Sequence, residues 1–89
     1  MSKKTTFPVP DWVKPEDYQR WAIQMAATYH NKQASIVQLS VGLGMSTSAL
    51  SMALKIHGIS ERNCLALESL LGPEHFPREF FRPDLFPTR

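Results

Sequence analysis

Cys64, His30, His57 and His75 are the side chains best suited to covalent or metal chemistry in this 89-residue chain. A thiol nucleophile needs a base within hydrogen-bond reach. A structural zinc needs cysteines and histidines at short, fixed spacings. Neither pattern occurs. The single cysteine falls on the apolar stripe of a helical segment, where it reads as a small core residue. The three histidines fall at separate helix ends with no shared face. The chain is therefore read as no enzyme, with no catalytic residue, no metal and no cofactor. A lone thiol forms no intrachain disulfide and suits a reducing compartment, so a cytoplasmic location is expected.

Charge gives the next indication. Lys and Arg total 10 against 8 Asp and Glu, a net charge of +2. That is too mild to establish a nucleic-acid partner alone. The acids are unevenly placed, however. None lies between Asp17 and Glu61, a run of 43 residues that holds Arg20, Lys32 and Lys55. A surface that approaches phosphates must exclude carboxylates, which oppose binding. No apolar run nears the ~20 residues that span a bilayer. Lys3 and Lys4 are followed by Pro8 and Pro10 rather than an apolar stretch, so neither a signal peptide nor a membrane partner is expected.

The segments that must position such a surface are helical. Residues 1–14 read as a flexible arm, its end tacked down by Phe7, Val9 and Trp12, with Lys3 and Lys4 able to reach a phosphate backbone. A single domain fills residues 15–89. Its first helix, 15–30, opens at Pro15, whose missing N–H has no helical partner there anyway. Tyr18, Trp21, Ala22, Met25 and Tyr29 then recur at three and four. A second helix, 33–42, is apolar nearly all round and ends at Gly42 and Gly44. A third, 46–57, starts on the capping residues Ser46, Thr47 and Ser48. A fourth, 60–71, carries Cys64, Leu65, Leu67, Leu70 and Leu71. The remaining tail is rich in Pro and Phe and is expected to wrap onto the helices or onto a second subunit. The fold class is a small all-α, four-helix domain with a Pro/Phe-rich C-terminal tail and no sheet.

Residues 36–55 have the make-up of a helix-turn-helix. Two short helices that meet steeply need a small residue at their contact, and Ser40 supplies it. The turn needs a residue at ease with positive φ, and Gly44 supplies it. Leu39, Leu43, Met45, Leu50 and Ala53 fill the inner faces.

The segment Gly44-Met45-Ser46-Thr47-Ser48-Ala49-Leu50-Ser51 resembles the turn and recognition helix of the YdaS-like, Cro-type family of phage and prophage regulators. Residues 59–68 resemble that family's next helix. Arg82-Pro83-Asp84-Leu85-Phe86 resembles its closing signature, the most specific part of the match. The resemblance spans residues 33–86. Ala53 stands where the family often has a bulky aromatic, and Val41 stands near its usual basic residue. Residues 1–30 extend beyond the match and suggest an added interface. The resemblance implies a lambda-repressor-like, Cro-like domain that binds operator DNA, often as a dimer.

The expected DNA-binding residues follow from that arrangement. Ser46, Thr47, Ser48, Ser51, Met52 and Lys55 would face base edges from the third helix. Lys55 suits a guanine or a phosphate, and Met52 a thymine methyl. Lys32 and Gln33, read as the start of the second helix, would meet a phosphate. Arg62 either touches the backbone or pairs with Glu68 or Asp84. The expected partner is a double-stranded DNA operator, bound by a homodimer, since one small helix reads too few bases. Two-fold pairing would set the recognition helices about 34 Å apart. The dimer contact is expected in the tail, through Phe80, Phe81 and Phe86, or else in helix one, through Trp12, Tyr18 and Trp21. The alternative is a protein-binding module, antitoxin-like or antirepressor, that uses Val37 and Val41 to hold a protein partner.

Overall fold

Pro15 opens a single 3-10 turn, Pro15–Asp17, before the α-helical register begins at Tyr18. The computed structural model describes residues 9–86, so Lys3, Lys4 and Phe7 of the arm lie outside the described residues. Five α-helices follow in order: α1 Tyr18–His30, α2 Ile36–Gly42, α3 Ala49–Ile56, α4 Glu61–Leu71 and α5 Arg78–Phe81. No strand occurs among the described residues. The architecture is all-α, with one short helix more than the sequence suggests.

Helix α1 buries Ala22, Ile23, Ala26 and Ala27 completely. The expected aromatic stripe sits at the edge of this face instead. Tyr18, Trp21 and Met25 pack partly against the core, and Tyr29 is exposed. The alanines let neighbouring helices approach closely, which leaves the rings to close the rim. Tyr18 and Trp21 lean on Phe80, with centroids 6.3 and 5.8 Å away, and the Tyr18 hydroxyl donates to the Phe80 carbonyl at 2.6 Å. Burial raises the Tyr18 pKa above its ordinary value. Of the residues expected to tack the arm down, Val9 and Trp12 are both exposed, Trp12 by 73%.

Helix α2 starts three residues later than the apolar pattern implies. Asn31 holds the preceding turn, accepting from the Ser35 N–H at 2.7 Å and donating to the Ser35 carbonyl at 3.1 Å. Ala34 is forced to φ +54° there. Ser35 then caps the helix by accepting from the Gln38 N–H at 3.2 Å.

In α4, Ser60 caps as its type suggests, accepting from the Asn63 N–H. Cys64, Leu67 and Leu71 face inward, whereas Leu65 and Leu70 are exposed.

The tail returns over α4 and α1 as α5. Phe76, Phe80 and Phe81 are fully buried among the core side chains. Phe80 meets Phe76 and Phe81 edge-on at 5.5 and 5.3 Å, an arrangement that aromatic quadrupoles favour. Two of the three rings proposed above for a dimer contact are thus used up inside one chain. Arg82 fastens the end of this segment. Its Nη1 donates to the Ile59 carbonyl at 2.8 Å, and its Nε and Nη2 grip Asp84 at 3.0 and 2.7 Å. The Arg82-Pro83-Asp84 sequence is therefore a clasp between the tail and the α3–α4 junction. The bidentate bond holds the Asp84 carboxyl below the usual carboxylate range.

Candidate nucleic-acid interface

Helix α2, the turn at residues 43–48, and α3 form one continuous unit. The chain reverses after α2 through bonds to the helix's own last carbonyls. The Leu43 and Met45 N–H groups donate to the Ser40 carbonyl, and the Gly44 N–H to that of Val41. Gly44 sits at φ +78° with open space around it, so backbone conformation rather than crowding selects glycine here. Leu39, Leu50 and Ala53 close the inner face, and Leu43 and Met45 are half-buried beside them.

Ser40 does more than make room. It is fully buried, and its Oγ accepts from the Leu50 N–H at 3.3 Å. Ser48, at the N-cap position of α3, makes no side-chain cap bond. The first turn of α3 is therefore capped from α2, ten residues earlier in the chain. The expectation that Ser46, Thr47 and Ser48 cap this helix is corrected. The helix begins at Ala49, and the three hydroxyl residues stand exposed on the turn ahead of it.

Ser48, Ser51, Met52 and Lys55 are all exposed and fall on one side of α3, at the three- and four-residue spacing of a helical face. Met52 is 47% exposed and so is not a core residue. Ser46 and Thr47 are exposed too, on the turn before α3. Lys32 and Gln33 are exposed as well, but they lie in the α1–α2 turn, before the Ser35 cap. Their backbone N–H groups are not those of the α2 start. Gln33 accepts from the Gln38 side chain at 3.2 Å. Arg62 is exposed on α4. The carboxylates considered for it are engaged by others: Asp84 by Arg82, and Glu68 by the Arg78 N–H at 2.9 Å.

The acid-free run of the sequence is not wholly acid-free in space. Glu16 and Asp17 line a hollow of about 400 Å³ together with Leu54, Ile56, His57 and Gly58. They sit at the C-terminal end of α3, so the surface without carboxylates is its N-terminal part and the turn before it. Val37 and Val41, spaced four apart on α2, are 47% and 55% exposed, and α1 does not cover them.

One supporting residue, Gln19, carried no signal in the sequence. Gln19 reaches from α1 to accept the Ile59 N–H at 2.8 Å, pinning the α3–α4 junction. Gly58 has φ +87°, and a Cβ there would meet that Gln19 oxygen at 2.7 Å. Cys64 is buried, and loss of solvation pushes its thiol up to about 11. The histidines stay apart: His30 beside Asn31, His57 on the Gly58 carbonyl, and His75 against the Tyr29 ring. Among the described residues no three His, Cys, Asp or Glu side chains gather as a metal site. No helix among them is long and apolar enough to cross a membrane. No protein-family model, curated protein or solved structure matches this chain.

Proposed function

We propose that this chain is a sequence-specific, helix-turn-helix DNA-binding transcriptional regulator of the Cro-like phage or prophage type, acting by occupying an operator. The observation that carries the reading is the outward face of α3. Ser48 at the N-cap and Ser51, Met52 and Lys55 on the helix are exposed on an element fixed to α2 by the Ser40–Leu50 bond, and no carboxylate lines its N-terminal part. Hydroxyls, an amine and an unbranched apolar side chain match what base edges present in the major groove. Helix α2 then lies across the phosphate backbone. Selection from random-sequence duplexes with the full chain should enrich one site. Titration of that duplex at two salt concentrations should show tighter binding at the lower one. Failure to enrich any sequence, with equal weak binding to all duplexes, would refute the reading.

One observation favours a second reading. Val37 and Val41 form an exposed apolar pair on α2, which suits a protein partner of an antitoxin-like or antirepressor module. The Val37→Ser, Val41→Ser double variant separates the two. Under the DNA reading it still selects the same duplex, and under the second it loses its protein partner while folding normally.

A further inference from the structure

A second hollow of about 400 Å³ opens beside α1, lined by Trp12, Asp17, Arg20, Trp21 and Gln24. Trp12 stands at its edge, 73% exposed, the most exposed of the large hydrophobic side chains described. Trp21, its neighbour across the hollow, is tilted against Tyr18 and Phe80 and so is held firmly by the core. One patch therefore carries both a projecting ring and a recess with an indole wall. Asp17 and Arg20 rim the same recess, both exposed, and neither forms an ion pair among the described residues.

We propose that this surface binds a second copy of the same chain about a two-fold axis, with Trp12 of each protomer seated in the other's recess. A two-fold contact pairs a patch with itself, so the patch must be complementary to itself. A knob beside a hollow meets that requirement, and so does one acid beside one base. Two-fold pairing brings Asp17 of one protomer to Arg20 of the other, twice. Of the tail aromatics, Phe76, Phe80 and Phe81 are inside the core and Phe86 is partly buried against it, so none is a rival ring of this exposure. The inference does not depend on DNA binding, and its test needs no DNA.

Light scattering and sedimentation of the full chain over a concentration series read the dimer directly. Wild type should dimerise in the micromolar range. Trp12→Ala, at an exposed position, should weaken the dimer at least tenfold without changing the helical circular dichroism. Asp17→Arg and Arg20→Asp should each lose self-association. Mixed together they should recover it, because one protomer then brings two bases to the contact and the other two acids, so that both halves pair opposite charges. Wild type that stays monomeric to high micromolar concentration, or a Trp12→Ala dimer of unchanged affinity, overturns the proposal. So does a chain lacking residues 1–8 in which Trp12 becomes more open to acrylamide quenching with no change of mass, since the arm then fills the recess. If the charge variants fold poorly, Trp12→Ala alone decides.

Discussion

Replacing Ser40 with alanine tests how the α2–α3 unit is held together. The substitution removes one oxygen from a fully buried site and leaves the Leu50 N–H without the acceptor it uses across ten residues. Removing an N-cap acceptor costs about 0.5–2 kcal/mol. Leaving a buried donor unsatisfied costs about 1–3 kcal/mol. The bond is long at 3.3 Å, which places the expected loss near the overlap of these ranges, about 1–2 kcal/mol. In a domain of this size each kcal/mol moves the melting temperature by about 4–8 °C, so Tm should fall by about 5–15 °C. Ser48→Ala is the control. It removes an exposed hydroxyl that makes no cap bond and should change stability by less than about 0.5 kcal/mol. Thermal melts followed by circular dichroism measure both. Amide exchange adds a local readout, because the Leu50 N–H should lose protection in the Ser40 variant. If Ser48→Ala costs more than Ser40→Ala, α3 is capped locally and the reasoning is wrong.

Ser48→Glu should nearly abolish binding to the selected duplex, since it sets a carboxylate on the acid-free face of α3. Lys55→Ala should weaken binding and flatten its salt dependence; wild-type affinity in a folded Ser48→Glu protein removes α3 as the reading element. Gly58→Ala should destabilise the domain by about 2–3 kcal/mol, combining left-handed strain of about 1–2 with disturbance of the Gln19–Ile59 bond of about 1. A denaturant midpoint equal to wild type would contradict that. Arg82 lowers the Asp84 pKa, so this pair stabilises the fold above the ordinary carboxylate pKa and loses that effect as pH falls through the lowered one. Urea titrations should therefore find Asp84→Asn less stable than wild type at pH 7 and converging with it in strong acid; a gap that widens as the solution is acidified would contradict the pairing.

Much of the helical frame was legible from local chemistry. Pro15, Gly42 with Gly44, Gly58, Ser60 and Gly72 mark element ends whatever they pack against, because their backbone limits are intrinsic. Positive φ at Gly44, Gly58 and Gly72 bears this out. The small Ser40 and the apolar Leu39, Leu50 and Ala53 likewise announced a close contact between two helices. What the sequence could not decide was which groups from distant elements meet. Ser46 to Ser48 look like a cap, yet the acceptor for α3 comes from Ser40, because only tertiary contact brings that oxygen to the Leu50 N–H. The rings of α1 look like the core stripe. Only the three-dimensional arrangement shows that the alanines take the inner positions while the core rings come from Phe76, Phe80 and Phe81. The acid-free run depends on sequence neighbours alone, and folding returns Glu16 and Asp17 to the end of α3. Local backbone preference fixes where a helix may start and stop. Which side chain satisfies, covers or faces another is settled by contacts between residues far apart in the chain, and these exist only once it has folded.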